Sequence, residues 1–466
     1  MENSFLKGIN HVHFIGINGS SMSGLAILLN ERNIKVTGSD IEHTKSMQTL
    51  LSKGIHVYVP HDKNQVGNPD LIVFTAAISK NNEEYIYGLE NNIPLMERAY
   101  LLSHLMDEHV HKVAISGAHG KTTATTLTAY LMENLGMDPT IHIGGEADFI
   151  GGSVKNSKSD YFVTEADEFK DSYLKLNPTI GVILNIDFDH VDWFGTFENM
   201  KKSFANFIEK IDKNGYLIAC YDDQATKEVA QGAKCNLLFY GIGNKDLDYT
   251  AMDLEIDKTG RPSYNLYVKG KKICHVKLEA QGEHNALNSL AAIAVMDVLK
   301  ADLIKTSQLL STTHGPKRRF DLIGEVHDIK VYSDYAHHPR EIEVTLETAS
   351  KMAHNKIYAA FEAHTFSRVR RLFDHFVRSF KHADIAIIAD IYNDRETTDT
   401  EVSGEILAKA VNEKVTKALY LPSYQAIEDY LYELAQPGDI IIVLGSKYLE
   451  GICKSLVDRL EKKFEV

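Results

Sequence analysis

One glycine-rich turn constrains the fold of this chain more than any other feature. It follows a short apolar run, KVAISG, that begins at residue 112, and it consists of Gly117, Ala118, His119, Gly120, Lys121, Thr122 and Thr123. Leucines then recur every fourth residue up to Leu135, as on one face of a helix, and the pattern ends at Gly136. A turn between strand and helix directs backbone N–H groups and the positive end of the helix dipole at an anion. The segment therefore predicts a phosphate-binding loop.

The side chains of this loop suit a nucleoside triphosphate. Lys121 supplies a point charge that can reach the β- and γ-phosphates, and the Thr122 hydroxyl suits the coordination shell of Mg²⁺. Ile115 stands where the usual pattern has its first glycine, so the loop is a variant of the Walker type. The alternative is a chance Gly-Lys-Thr in an ordinary loop. The flanking strand and helix favour the phosphate-binding interpretation.

Acidic residues follow the next two predicted strands. Glu165-Ala166-Asp167-Glu168 comes after YFVT, and the segment 185–192 (NIDFDHVD), which includes His190, comes after IGVIL. Ligands of open parallel sheets bind at the carboxyl ends of strands, so these groups are expected to face the nucleotide. Carboxylate oxygens suit Mg²⁺, and a histidine beside acids can ligate a second metal ion. The alternative is that these acids are solvated turn residues.

A second glycine turn follows the first predicted strand, HVHFIGI. Its candidate ligand-binding residues are Gly16, Asn18, Gly19, Ser21, Met22 and Ser23, with Asp40 after the next strand. This is the context of a dinucleotide or nucleotide-sugar site, with pyrophosphate at the helix N-terminus and ribose or base near the acid. Asn18 and Ser21 stand where glycines are usual, and a plain tight turn is the alternative.

Strand and helix patterns alternate along the whole chain, which predicts an α/β fold with parallel sheets covered by helices. We predict three domains: residues 1–108 with a Rossmann-like parallel sheet, residues 109–314 with a P-loop ATPase-type α/β arrangement, and residues 315–466 with a second Rossmann-like sheet. Short alternating runs between about 215 and 280 predict a small antiparallel insert in the central domain.

Composition excludes a disordered chain, a collagen and a small disulfide scaffold. The 466 residues are 44% hydrophobic and 24% charged, which are ordinary values for a globular chain. The net charge of −14 disfavours a nucleic-acid partner. Four unpaired cysteines, the lack of an apolar signal segment and the lack of a run of about 18 apolar residues predict a cytoplasmic protein without membrane insertion.

The motifs in this order resemble the Mur ligase superfamily. The resemblance rests on the first glycine turn with its acid, the phosphate loop, Glu-Ala-Asp-Glu and the Asn-x-x-x-Asp-His segment. Three further segments look like motifs of the same family: 281–288 (QGEHNALN), 317–320 (KRRF) and 334–339 (DYAHHP). Together the motifs span nearly the whole chain.

The resemblance implies an ATP-dependent ligase that acts with Mg²⁺ in the synthesis of peptidoglycan precursors. In the family's chemistry a substrate carboxylate takes the γ-phosphoryl group of ATP, and an amine then attacks the resulting acyl phosphate. The shared motifs imply UDP-N-acetylmuramate and L-alanine as substrates. A monomer or a homodimer is expected.

The resemblance also assigns roles to residues. Lys121, Glu165, His190 and His338 are the expected catalytic residues, and Thr122, Glu165 and His190 the expected metal ligands. The expected contacts to adenine and to the phosphate and ribose of ATP are Asn285, Asn288, Arg319 and Asp334. The expected contacts to the amino acid or the acyl phosphate are His338, His364 and Arg368. A guanidinium fork suits a carboxylate because it can bind both oxygens.

Three other interpretations remain open at this point. A related ligase could join murein tripeptide or a different amino acid to the same nucleotide sugar. The first glycine turn alone could belong to an NAD-dependent oxidoreductase, although the central phosphate loop argues against it. The altered first turn and the segment that follows Gly445 could indicate a nucleotide-sugar-binding protein without catalysis.

Overall fold

Three β-sheets organise the chain. The computed structural model describes residues 5–392, 401–445 and 448–464. The chain divides into two compact units: one comprises the residues up to 253 with 264–276 and 287–316, and the other comprises 254–263, 277–286 and the residues from 317 onward. Within the described ranges, no helix is both long and apolar enough to cross a membrane.

The first sheet has five strands, all parallel, in the order β3-β2-β1-β4-β5. Its strands are β1 (His11–Ile15), β2 (Lys35–Ser39), β3 (His56–Tyr58), β4 (Leu71–Phe74) and β5 (Leu95–Glu97). Its helices are α1 (Ser20–Glu31), α2 (Lys45–Ser52), α3 (Glu83–Glu90) and α4 (Arg98–Asp107). The strand order reverses at β1, so the turn that follows β1 lies where open parallel sheets bind their ligands.

The second sheet has ten strands in the order β15-β14-β13-β12-β11-β10-β6-β9-β7-β8. Its strands are β6 (His111–Ser116), β7 (Thr140–Ala147), β8 (Gly152–Lys155), β9 (Tyr161–Glu165), β10 (Ile180–Ile183), β11 (Tyr216–Cys220), β12 (Asn236–Ile242), β13 (Tyr249–Ile256), β14 (Pro262–Val268) and β15 (Lys271–Lys277). The helices of this part of the chain are α5 (Lys121–Asn134), α6 (Val191–Phe194), α7 (Phe197–Ile208), α8 (Gln224–Ala230), α9 (His284–Val298) and α10 (Leu303–Leu309). Strand β6 pairs in parallel with β9 and with β10, so the segments after these three strands emerge at one edge.

The stretch between residues 215 and 280 begins with parallel strands and ends with strands of the predicted antiparallel kind. Strand β11 runs parallel to β10, β12 runs parallel to β11, and β13 runs parallel to β12. Helix α8 supplies the crossover that the parallel pair β11 and β12 needs. Strands β14 and β15 are neighbours in the sheet and are joined by two residues, as in an antiparallel hairpin. All these strands belong to the central sheet, which is therefore mixed.

The third sheet has six strands in the order β16-β17-β21-β18-β19-β20. Its strands are β16 (Asp321–Val326), β17 (Ile329–Asp334), β18 (Ile357–Glu362), β19 (Ile385–Ile388), β20 (Lys417–Tyr420) and β21 (Ile440–Gly445). Its helices are α11 (Pro339–Ser350), α12 (Phe366–Arg371), α13 (Phe373–Ser379), α14 (Gly404–Lys414), α15 (Tyr424–Leu434) and α16 (Ile452–Phe464). Only β16 is antiparallel among these described strands. The predicted α/β class is confirmed.

Apolar helix faces pack on the sheets as their periodicity predicts. Leu25, Leu28 and Leu29 of α1 are fully buried, and so are Phe204 and Phe207 of α7. Burial of a large apolar side chain stabilises a fold by about 1.5–3 kcal/mol. This packing fixes the start of each helix against the strand before it, and the glycine turns lie at those junctions.

Candidate active site

The phosphate loop has the backbone that an anion site needs. Gly117 and Gly120 have φ angles of +147° and +83°, a region that side chains with a Cβ rarely adopt. A Cβ added at Gly120 would lie 2.9 Å from Oδ1 of Asn288. Gly120 also precedes α5 without a side-chain cap, so the first-turn N–H groups of that helix are available to an anion.

The loop is fastened to the segment that follows β10. The N–H of His119 donates to Oδ1 of Asn185 at 2.8 Å, and the Asn185 amide donates back to the His119 carbonyl at 2.9 Å. The His119 ring lies 3.0 Å from a carboxylate oxygen of Asp187. These bonds hold the loop in one conformation before any ligand arrives.

Lys121 points back over the loop and meets an acid. Its ammonium donates to the carbonyl of Gly117 at 2.6 Å and to the two carboxylate oxygens of Glu168 at 2.9 and 2.8 Å. The Lys121 side chain is 16% exposed and that of Glu168 only 1%. The two charges are therefore largely removed from water and depend on each other.

The sequence segment Glu-Ala-Asp-Glu contributes to a candidate metal centre. Ligand atoms of Asp167, Glu168 and His190 all lie within 4.8 Å of one another. Two carboxylates and one imidazole form a donor set with oxygen ligands of the kind that Mg²⁺ prefers. The residues present therefore fit a divalent cation close to the ammonium of Lys121.

Glu165 and Thr122 lie beside two glycines of β7. The N–H of Gly144 donates to Oε1 of Glu165 at 2.6 Å, and a Cβ added at Gly145 would lie 3.0 Å from Cγ2 of Thr122. Neither residue belongs to the cluster of Asp167, Glu168 and His190. The predicted assignment of Thr122 and Glu165 to one ion and of His190 to another stays a prediction.

Burial and charge shape the electrostatics of this site. Burial alone would lower the pKa of Lys121, but Glu168 and Asp167 raise it, so the ammonium stays charged. Burial raises the pKa of Glu168, and the charges of Lys121 and His190 only partly offset this effect. A cation at this position would favour the ionised form of Glu168.

The first glycine turn is held by its own acid. Gly16 has a φ of +82°, and a Cβ there would lie 2.8 Å from Cγ2 of Thr75. The N–H of Asn18 donates to Oδ2 of Asp40 at 2.8 Å, so this carboxylate orders the turn. Gly19 precedes α1 without a side-chain cap, as Gly120 precedes α5.

Serines join this turn to β7. The Ser20 hydroxyl donates to the carbonyl of Gly144 at 2.6 Å, and the Ser21 hydroxyl lies 2.9 Å from Nε2 of His142. Met22 is 2% exposed, and the hydroxyl of Ser23 donates to the carbonyl of Ser20. The first turn of α1 and Glu165 thus contact the same peptide segment around Gly144.

The two predicted adenine contacts fall in different units. Asn288 lies against Gly120 in the first unit. Asn285 belongs to the second unit, where its amide donates to the carbonyl of Gln281 at 2.6 Å. Both side chains are largely buried.

In the second unit, Asp334 is a buried acid at the end of β17. It accepts from the backbone N–H groups of Phe320 and Ala336, each at 2.8 Å. Burial raises the pKa of Asp334 to about 6, although Arg319 and these two N–H groups oppose the change. Arg319 lies 3.7 Å from Glu341 and over the ring of Tyr335.

The predicted amino-acid contacts follow β17 and β18, the two strands that flank β21 in the third sheet. His338 caps α11, since its ring nitrogen accepts from the N–H of Arg340 at 3.3 Å. The His364 ring stacks on Tyr392, with ring centroids 5.8 Å apart. Arg368 lies on α12, which begins at Phe366, just after His364. Residues 446–447, in the segment after Gly445, lie outside the described residues.

Sequence reasoning did not single out every residue that this site contains. Asp167 and Glu168 were only parts of a motif, because their approach to Lys121 depends on how the segment after β9 folds back. Arg98 and His142 were missed as well, and no local pattern surrounds either of them. Arg98 directly follows β5, a short strand that the sequence analysis did not predict either.

Three family models match successive parts of the chain. The Mur ligase family catalytic domain matches residues 11–110, the Mur ligase middle domain matches 115–296, and the Mur ligase glutamate ligase domain matches 318–447. A protein of Clostridium tetani named UDP-N-acetylmuramate–L-alanine ligase is 41% identical over 96% of this chain and 97% of its own length. The chain belongs to the Mur ligase family. The resemblance of its motifs is thereby confirmed.

Other relatives of this Mur ligase support the same family and fold. A protein of Caldanaerobacter subterraneus with the same printed name is 40% identical over 98% of this chain and 99% of its own length. The crystal structure of UDP-N-acetylmuramate–alanine ligase from Thermotoga maritima has a TM-score of 0.84 and 24% identity, and the match covers 97% of this chain and 99% of that one. A murein peptide ligase from Psychrobacter arcticus has a TM-score of 0.71 with the same identity and coverage. These two structures show that the three-domain fold is shared.

Proposed function

We propose that this Mur ligase forms an amide bond between the carboxylate of UDP-N-acetylmuramate and the amine of L-alanine, at the expense of ATP, in peptidoglycan precursor synthesis. The observation that carries the proposal is the phosphate loop with Lys121 held against Glu168, in a chain whose full-length relatives bear the name of that ligase. The phosphate loop argues against the alternative of an NAD-dependent oxidoreductase.

The phosphate loop positions the triphosphate. We assign the first-turn N–H groups of α5 and the Lys121 ammonium to the phosphate oxygens. We assign Asn288, which lies against Gly120, to the adenine part of the nucleotide. Mg²⁺ held by the group of Asp167, Glu168 and His190, or by Thr122 and Glu165, would neutralise negative charge on the phosphates. Phosphoryl transfer needs mainly this positioning and charge neutralisation.

The chemistry then has two steps. The carboxylate of the sugar substrate attacks the γ-phosphorus, which forms an acyl phosphate and releases ADP. The amine of L-alanine attacks the acyl carbon, the carbon–oxygen bond to phosphate breaks, and inorganic phosphate leaves. We assign the first glycine turn, with Gly16, Asn18 and Asp40, to the nucleotide sugar.

The second unit would supply the remaining contacts. We assign Arg319 and Asp334 to the phosphate and ribose of ATP, and His338, His364 and Arg368 to the amino acid or the acyl phosphate. A reaction that consumes ATP draws on the cytoplasmic pool, so we infer a cytoplasmic location. The domain boundaries at 108 and 315 and the choice between monomer and homodimer stay predictions.

A substrate panel tests the proposal. Phosphate release by the wild-type protein is measured with Mg²⁺-ATP, UDP-N-acetylmuramate and, in separate reactions, L-alanine, glycine, L-serine or murein tripeptide. We expect release that needs both substrates and is fastest with L-alanine. A preference for tripeptide would replace the proposal with a murein peptide ligase. No release with any acceptor would contradict ligase activity.

A further inference from the structure

One arginine of the first unit lies between the first glycine turn and the acidic segment that follows β9. Nη1 of Arg98 donates to the hydroxyl of Ser21 at 2.8 Å, and Nη2 lies 3.9 Å from Oδ2 of Asp167. Arg98 directly follows β5, at the same edge of the first sheet as the turn after β1. Its side chain is 15% exposed, so the guanidinium is partly open to a ligand.

Arg98 contacts two parts of the proposed active site, the first glycine turn and the acidic group beside the phosphate loop. Ser21 belongs to the turn assigned to the nucleotide sugar, and Asp167 belongs to the acidic group beside the phosphate loop. A carboxylate that is carried by the sugar and attacks the γ-phosphorus must lie between those two places. That carboxylate is an anion that approaches several acids and a triphosphate, so it needs a cation to hold it there.

Lys121 is engaged with Glu168 and the loop, whereas the contacts of Arg98 can be exchanged for a ligand. Ser21 is a neutral partner, and 3.9 Å from Asp167 is too long for a hydrogen bond. Burial, followed by the charge of Arg98, lowers the pKa of the neighbouring His142 to about 4, so that imidazole is neutral at pH 7. The positive charge next to Ser21 is therefore that of Arg98.

We propose that Arg98 is a substrate-positioning residue that binds the carboxylate of the nucleotide sugar through its guanidinium fork. The inference rests on the proposed function and adds to it the group that recognises this carboxylate. A planar fork can bind both carboxylate oxygens, which orients one of them for attack, whereas a lysine ammonium binds as a point charge. Arg98 thereby distinguishes a sugar that carries the carboxylate from one that does not.

Binding of two nucleotide sugars tests this role. UDP-N-acetylmuramate carries the carboxylate on a 3-O-lactyl group, and UDP-N-acetylglucosamine is the same nucleotide sugar without that group. Calorimetric titration of the wild-type protein is expected to show tighter binding of UDP-N-acetylmuramate. The variant Arg98→Met should lose about 10- to 100-fold in affinity for that ligand and less than about 2-fold for UDP-N-acetylglucosamine. Arg98→Lys should fall between wild type and Arg98→Met for UDP-N-acetylmuramate alone.

A matched control separates recognition from packing. Arg32 has a similarly buried side chain, 17% exposed, and also bridges different parts of the first unit, through Glu108 and Asn156. Arg32→Met should leave the ratio of the two affinities unchanged. In kinetics, Arg98→Met should raise KM for UDP-N-acetylmuramate and lower kcat, with KM for ATP changed by less than about 2-fold.

Three results would overturn the inference. The first is an Arg98→Met variant that binds both nucleotide sugars with wild-type affinity. The second is an equal loss of affinity for both, which would indicate a purely structural role through Ser21. The third is a Ser21→Ala variant that reproduces the whole effect of Arg98→Met. Failure of the proposed function is distinct, because it would appear as a wild-type protein that releases no phosphate from ATP with UDP-N-acetylmuramate and L-alanine.

Discussion

The ammonium of Lys121 donates to both carboxylate oxygens of Glu168, at 2.9 and 2.8 Å. Glu168 also belongs to the group that fits a metal ion, together with Asp167 and His190. A triphosphate and a divalent cation would each compete for one member of this ion pair. The charges that hold this site together are therefore the ones that we expect to bind the nucleotide and its cation.

Replacement of Lys121 by methionine tests this relationship. Lys121→Met should lower phosphate release by at least about 1,000-fold, since it removes the cation nearest the phosphates. It should also destabilise the fold by roughly 3–5 kcal/mol, because Glu168 is left buried without its partner. Steady-state kinetics and urea denaturation measure the two effects. The double variant Lys121→Met/Glu168→Gln should regain much of the stability and none of the activity. A double variant that is as unstable as Lys121→Met would contradict a coupled pair.

His190 provides a test of the metal site. His190→Asn should raise the Mg²⁺ concentration needed for half-maximal activity by about 10-fold or more, because one of three clustered ligands is weakened. The measurement is phosphate release against Mg²⁺ at saturating ATP. His375→Asn, at an exposed position on α13, is the control and should leave the curve unchanged. Equal curves for wild type and His190→Asn would remove His190 from the metal site.

Alanine variants of two glycines at opposite ends of α5 distinguish the effect of backbone strain on stability from the effect of the loop on ATP binding. Gly120 and Gly136 have nearly equal φ angles of +83° and +81°, but only at Gly120 would a Cβ approach a side chain, 2.9 Å from Oδ1 of Asn288. Both alanine variants should lose about 1–2 kcal/mol of stability from backbone strain. Gly120→Ala alone should raise KM for ATP, by about 10-fold or more. An unchanged KM in Gly120→Ala would contradict the assignment of this loop to the nucleotide.

Much of the site could be predicted from the sequence because its signals are local. A strand, a glycine turn and a helix follow one another within about twenty-five residues around Lys121, and the acids come directly after strands. Pairing between distant segments is not local. Alternating apolar residues gave no partner for β11 and β12, and α8 between them has only a short apolar pattern, so their parallel arrangement was not predicted.

Within the site, the contacts of Arg98 and Glu168 could not be predicted from local sequence either. Glu168 lies three residues beyond Glu165, and nothing in the motif says which of the two carboxylates meets Lys121. Arg98 has no motif at all, and its position beside Ser21 follows from the parallel order of β1, β4 and β5. Tertiary packing decides both contacts.

A buried acid on α3, which packs in the same part of the chain as the first sheet, sets a pH dependence of stability. Glu84 is fully buried; burial would raise its pKa, but hydrogen bonds from His13, His61 and Ser39 lower the pKa to about 2. A depressed pKa contributes stability above the unfolded-state value of about 4.5, and the contribution is lost as the pH falls towards 2. Glu84→Gln should therefore lose roughly 3 kcal/mol at pH 7 and show a flatter decline between pH 4.5 and 2.

Urea denaturation at a series of pH values measures this effect. Glu83→Gln, at the exposed neighbouring position, is the matched control and should change stability by less than about 0.5 kcal/mol. A Glu84→Gln variant whose acid decline matches that of the wild type would contradict the stabilising role of this hydrogen-bonded carboxylate.

The path of one oxygen atom tests whether the reaction passes through an acyl phosphate. UDP-N-acetylmuramate labelled with ¹⁸O in its carboxylate is incubated with the wild-type protein, Mg²⁺-ATP and L-alanine, and the released phosphate is analysed by mass spectrometry. An acyl phosphate intermediate transfers one carboxylate oxygen, so we expect one ¹⁸O atom in each phosphate formed from labelled substrate. Unlabelled phosphate released together with the amide product would contradict an acyl phosphate intermediate.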